Sequence, residues 1–211
     1  MFAELLAHPG VEETVELGTT VGFLAFHGGS LEQGTDMIAA EAARRCGASL
    51  YTVVQPEGFR WHIPSKLVSP AESPALATFL DHVDVAIAIH GFGRPTMFTT
   101  MLAGGSNREL ARHLAGHIRA RLPEYEVLDD AAAIPVELRG LHPDNPVNLP
   151  RRGGTQLELP PRVRGIGPFW ADHDLAAAPR TPHTEALIGA LAAAALAWPT
   201  ASDGAVGPGP A

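Results

Sequence analysis

Two apolar runs of nearly the same design constrain this chain more than anything else in it. Residues 21–26 (VGFLAF) end in His27-Gly28-Gly29, and residues 84–89 (DVAIAI) end in His90-Gly91. A short apolar run closed by turn residues reads as a strand buried on both faces, the usual state of strands in parallel sheets. After the first run come Gly34-Thr35 and DMIAAEAARRC, with acids early and arginines late as a helix dipole prefers, and with Thr35 as the expected N-cap. ASLYTVV reads as the next strand. Ser73-Pro74 opens a helix to about Val83, residues 107–122 form a polar amphipathic helix, and TQLEL (155–159) alternates as a half-buried strand does. Thr181-Pro182 starts a last helix that ends near Trp198-Pro199. Strand and helix alternate, so the chain is expected to be α/β, with a mixed, mostly parallel sheet flanked by helices. One domain over residues 1–199 is expected, followed by a disordered tail, TASDGAVGPGPA, at 200–211.

Composition narrows the function classes. Asp and Glu outnumber Lys and Arg by 23 to 15, so no global positive field recruits nucleic acid or an anionic membrane surface. A single cysteine, Cys46, excludes an internal disulfide and zinc sites of the multi-cysteine type; any metal must use His and carboxylates. The first residues carry early acids and no basic region ahead of an apolar run, so no secretion signal is read and a cytoplasmic protein is expected. The longest apolar stretch, residues 187–198, is too short to span a bilayer and is largely alanine, as in a packed helix.

In open α/β sheets ligands sit beyond the carboxyl ends of the strands, and His27 and His90 both fall at such ends. A glycine after each lets the backbone turn and leaves the imidazole facing a crevice. Glu32 follows His27 by five positions across the loop FHGGSLEQGT, a spacing that can fold its carboxylate back beside the imidazole. Two His and one Glu with an open fourth position are a typical catalytic zinc set, so His27, Glu32 and His90 are the candidate metal ligands and zinc the candidate cofactor. A hydrolytic zinc site also needs a base for the attacking water. Glu158, between Leu157 and Leu159, should point to the face opposite those leucines and is the candidate. The Pro/Gly-rich loop 140–154 leads directly into that strand, and its Asn145, Asn148, Arg151 and Arg152 are candidates to hold a substrate carboxylate.

These residues carry a family resemblance. The strings FHGGSLEQGTDMIA, IAIHGFG and GLHPDNPVNLPRRGGTQLELPPRVR resemble, in order and spacing, the poly-gamma-glutamate hydrolases best known from phages, over residues 21–164. The resemblance implies a trimmed relative of the zinc carboxypeptidases, the same three ligands, Glu158 as general base, and cleavage of gamma-glutamyl amide bonds. The implied partner is a glutamyl-containing peptide or polymer. One departure stands out: Leu149 follows Asn148 where the family pattern commonly has Arg, and the arginines arrive at 151 and 152.

Rival chemistries fit less well. His-Gly-Gly also resembles the oxyanion loop of lipase-like hydrolases, but no G-x-S-x-G elbow occurs in the chain. His113 and His117 lie one helical turn apart but lack the Glu of H-E-x-x-H. Cys46, late in a helix, reads as a packing residue rather than a nucleophile. His62 and His142 are candidates for substrate hydrogen bonds only. Two readings stay open beside the polymer hydrolase: a deacylase or amidohydrolase of small N-acyl amino acids with the same ligands, and a metal-binding module without catalysis. A local basic lip of Arg151, Arg152, Arg162 and Arg164 would offset the net negative charge for a polyanionic substrate.

Overall fold

The apolar runs become the centre of a sheet. The computed structural model describes residues 1–166 and 180–199, so the tail at 200–211 lies outside the described residues. In chain order the elements are α1 (Phe2–Leu6), β1 (Glu12–Glu16), β2 (Thr19–Gly29), α2 (Thr35–Cys46), β3 (Ala48–Gln55), α3 (Pro74–His82), β4 (Val85–Gly91), β5 (Thr100–Ala103), α4 (Arg108–Arg121), β6 (Glu126–Leu128), β7 (Gly154–Leu159) and α5 (Pro182–Ala197). The strands form one seven-stranded sheet in the order β1-β3-β2-β4-β7-β5-β6. β1 pairs antiparallel with β3 and β5 with β7, while the other neighbours are parallel. The single α/β domain with a mixed, mostly parallel sheet is therefore as expected.

Strand alternation splits the core into two layers. Phe23 and Ala25 of β2, Ile87 and Ile89 of β4, and Leu157 and Leu159 of β7 face one side, where Ile38 of α2, Leu114 of α4 and Leu191 of α5 cover them. Leu24 and Phe26, with Ala86 and Ala88, face the other side and meet Phe2 of α1 and Leu76 and Phe79 of α3. Each of the leucine, isoleucine and phenylalanine side chains among these, fully buried, contributes roughly 1.5–3 kcal/mol, and each alanine less. The chain leaves β2 through α2 on the first face to reach β3, then returns through α3 on the second face to β4. The direction of winding thus reverses between β2 and β4, and a crevice opens at such a switch point beyond the strand ends.

Three helix starts are as the sequence predicts: Ser73 accepts from Leu76 N, Asn107 from Leu110 N and Thr181 from Thr184 N. Thr35 is not a cap. Gly34, in the left-handed region at φ 85°, precedes the helix, and the Thr35 hydroxyl instead donates back to Glu32 O at 2.8 Å. β1, β5 and β6 have no apolar run to announce them. β1 is EETVE, an exposed edge strand whose charges deter further pairing. β7 is buried along its whole length rather than half-buried, because its polar face is covered by loop residues such as Asn145, which bonds Gln156.

Candidate active site

The site starts from an irregularity in β2. Its pairing with β3 shifts register between Ala25 and Gly28, so the Phe26-His27 step is a bulge, and bulges re-aim the side chains they carry. Gly29 closes it at φ 69°, where a Cβ would stand 2.1 Å from Gln55 O, so no other residue fits. His27, 2% exposed, then has an acceptor at each ring nitrogen: Nε2 lies 2.9 Å from Ile63 O, and Nδ1 lies 2.9 Å from Glu32 Oε1. A carbonyl can only accept, so the Nε2 proton is committed to Ile63. A neutral ring then turns a lone pair toward a carboxylate, an arrangement that a cation between them relieves.

Glu32 reaches this point because its backbone N–H donates to His27 O at 2.9 Å and folds the loop back on the strand. Its other oxygen, Oε2, accepts from Gly91 N at 2.8 Å and lies 3.4 Å from His90 Nδ1. His90 ends β4, is 3% exposed, and its Nε2 is buried without a partner among the described residues. Glu158 sits beside it, since the parallel register of β4 and β7 pairs His90 with Glu158. Gln156, on the same face of β7, donates from Nε2 to Glu158 Oε1 at 2.7 Å and accepts from Asn145 Nδ2 at 2.8 Å. A cavity of about 540 Å3 opens over these groups, with His62, Phe92 and Leu138 in its walls; that volume is ordinary for a small-ligand site.

Charge follows geometry. Burial opposes the Glu32 carboxylate, but His90 and His27 outweigh it and hold the group well below the usual range. Burial also opposes the His90 imidazolium, and Glu32 outweighs it, for a net upward shift. Glu158 goes the other way. Burial pushes its pKa up to about 7 against the opposing pull of His90, which places a carboxyl at the pH where a general base is most useful.

The structure brings together His27, Glu32, His90 and Glu158 and adds three residues that the sequence did not single out for this role. His62, an exposed residue in the segment after β3, offers a ring nitrogen within 4.8 Å of the donor atoms of His27 and Glu32, and its ring centroid is 4.9 Å from that of His27. No local pattern announces it. Gln156 was readable, since it is two residues before Glu158 on a strand. Arg164 is buried behind the site, bonding Leu159 O at 3.2 Å and Gln33 O at 2.6 Å. Its guanidinium crosses Gly91, where a Cβ would come within 2.7 Å of Arg164 Cζ.

The expected carboxylate clamp is not assembled. Asn145 is buried among Gly140, Gln156 and its own turn. Asn148 staples the loop, accepting from Ser106 N and donating to the Gly140 and His142 carbonyls. Arg151 pairs with Asp84 at 2.7 Å, and Arg152 bonds Pro199 O and lies over Trp198. Asp84 immediately precedes β4, so both arginines serve the amino end of the strands, opposite the site. Arg162 lies over Tyr125. The basic lip is therefore absent among these residues, because the loop spends its cations on tying strand starts to the C-terminal helix.

The donors that lie within 4.8 Å of one another are His27, Glu32 and His62, whereas the expected ligand His90 falls outside that group and meets it only through Glu32, at 3.4 Å; two imidazoles and a carboxylate suit zinc, and the acceptor-flanked His27 ring is the observation that makes the fit. Fold and site together define a single-domain α/β protein with a His/Glu cluster at the switch point of its sheet. A family model described as poly-gamma-glutamate hydrolase matches residues 2–184, and the chain belongs to that family. Bacteriophage poly-gamma-glutamate hydrolase superposes with a TM-score of 0.73 at 22% identity, covering 90% of this chain and 91% of that one. YNDL in its zinc-free apo form gives a TM-score of 0.72 at 19% identity, covering 87% and 88%. The SPbeta prophage-derived UPF0714 protein YoqZ of Bacillus subtilis (strain 168) is 28% identical over 148 residues, 69% of this chain and 51% of YoqZ, so the chain spans about half the length of that relative. Among the described residues no helix is long and apolar enough to cross a membrane.

Proposed function

We propose that the protein is a zinc-dependent hydrolase of amide bonds and that its substrate is a gamma-glutamyl polymer. The observation that carries the proposal is the convergence of Glu32 on His27 and His90, with Glu158 next to them on the adjoining strand. His27, Glu32 and His90 would hold the ion, the Ile63 carbonyl fixing the ring of His27. Zinc, when bound, supplies a Lewis acid for the scissile carbonyl and for the attacking water. Glu158, in its ionised form, accepts a proton from that water and returns it to the leaving nitrogen. Gln156 holds the Glu158 carboxylate in place, and Phe92 and Leu138 give the pocket an apolar wall. The substrate class rests on family membership and on similarity to a phage enzyme of that activity. Glu158→Gln should leave zinc content unchanged while lowering kcat on gamma-glutamyl oligomers roughly 10²–10⁴-fold; turnover equal to the unaltered protein at full zinc occupancy would refute the assignment.

A further inference from the structure

A second hollow of about 200 Å3 adjoins the cavity over Glu158, sharing Ser65, Glu137 and Gln156 as walls and bordered also by Lys66, Leu141 and His142. That is roughly seven waters' worth of space, enough for part of one further residue. Lys66 is the only lysine in a chain of net charge −8, and it stands exposed on the 3-10 turn Ser65–Leu67. Two acids stand at this rim: Glu137, in the wall, is paired with Arg94, and Asp144 lies 3.8 Å from the Nδ1 side of His142. The Asp144 backbone N–H donates to His142 Nδ1 at 3.2 Å, which leaves Nε2 as the donor nitrogen of the ring. An ammonium and an imidazole N–H therefore border a hollow that shares three walls with the cavity over Glu158.

We propose that this hollow is a carboxylate-binding subsite in which Lys66, assisted by His142, takes the free carboxylate of the residue next to the scissile bond. The inference rests on the function proposed above. A gamma linkage consumes the side-chain carboxyl of glutamate and leaves the alpha carboxylate of each residue free and ionised. A polymer lying through the pocket thus carries an anion into the hollow one residue from the cleaved bond. Lys66 meets it where Arg151 and Arg152, held at the far end of the strands, do not. Lysine binds a carboxylate as a point charge rather than a planar fork, which suits a subsite that must release each residue as the polymer moves on.

The test measures binding of a gamma-glutamyl pentamer, and of the same pentamer with its alpha carboxylates capped as methylamides, to zinc-loaded Glu158→Gln protein by calorimetry. Lys66→Met in that background should weaken pentamer binding about tenfold, the worth of one charge-assisted hydrogen bond. Lys66→Glu should weaken it further, and Lys66→Arg should restore most of it. The preference for free acid over capped pentamer should fall toward one in Lys66→Met. Equal affinities across the Lys66 series, or equal losses for both pentamers, would overturn the subsite. Turnover of the pentamer by the zinc-loaded unaltered protein is measured alongside. Turnover without dependence of binding on Lys66 refutes the subsite alone. Lys66-dependent binding without turnover refutes the function and supports the subsite, absence of binding with turnover refutes the subsite alone, and absence of both refutes both.

Discussion

Glu158 should be bought at a cost in stability, and that cost is measurable. Its carboxyl titrates near 4.5 in the unfolded chain and at about 7 in the folded one, with burial the main cause. The folded pKa is the higher, so the folded state holds the proton more tightly between those values. Below about pH 4.5 both states are neutral and the residue costs nothing electrostatically. As pH rises through 4.5 to 7 the unfolded state ionises freely while the folded state must bury a charge, and above about pH 8 the penalty is complete. A difference of about 2.5 pH units corresponds to about 3 kcal/mol, a large share of the stability of any domain. Glutamine has nearly the same shape, keeps an oxygen to accept from Gln156, and never ionises. Glu158→Gln should therefore match the unaltered protein near pH 4.5 and exceed it by roughly 2–3 kcal/mol at pH 8.5. Urea unfolding of chelator-treated protein at the two pH values checks this through the denaturation midpoint at constant slope. A difference that does not change with pH, or a variant less stable at pH 8.5, would refute the burial argument. In the zinc-loaded enzyme a nearby cation lowers the carboxyl's pKa, so the acid limb of kcat/KM should lie at or below about pH 7.

Two further outcomes separate roles within the site. His90→Ala should weaken zinc binding by more than about 100-fold and His62→Ala by roughly tenfold, as expected for a buried ligand and an exposed neighbour; chelator competition reads both, and the reverse ranking would make His62 the third ligand. Gln156→Leu removes a donor that holds the Glu158 pKa down, so the acid limb should move to higher pH and kcat should fall about tenfold at unchanged zinc content; an unmoved limb would show that Gln156 only fills space.

What the sequence could show depended on how local the signal was. His27 and His90 were legible because each ends a buried apolar run, and the helix starts at Ser73 and Thr181 because a proline stands in the first turn of each. Glu32 needed only the length of a loop. Glu158 was found from strand alternation, and the same rule reaches Gln156 two positions back. His62 and Arg164 arrive from other segments, and nothing near them in the chain marks that arrival. The arginines misled for a related reason. A Pro/Gly-rich loop beside a catalytic strand looks like a substrate wall, yet its second half runs to the start of that strand, where Asp84 and Pro199 hold Arg151 and Arg152. β1, β5 and β6 were illegible because an acidic edge strand and strands of four and three residues have no run long enough to show a period.

The ends of β2 and β4 and the loop after β2 supply the three expected ligands, whereas the lysine, histidine and leucine that border the outer hollow belong to separate stretches, residues 64–66 and 136–145. On the proposed roles, reaction and recognition are thus written in different parts of the gene. Insertions or exchanges in the outer stretches can retune what is admitted while the sheet keeps the cutting groups in register, so a lineage, or a protein engineer, can change the diet of this scaffold without rebuilding its teeth.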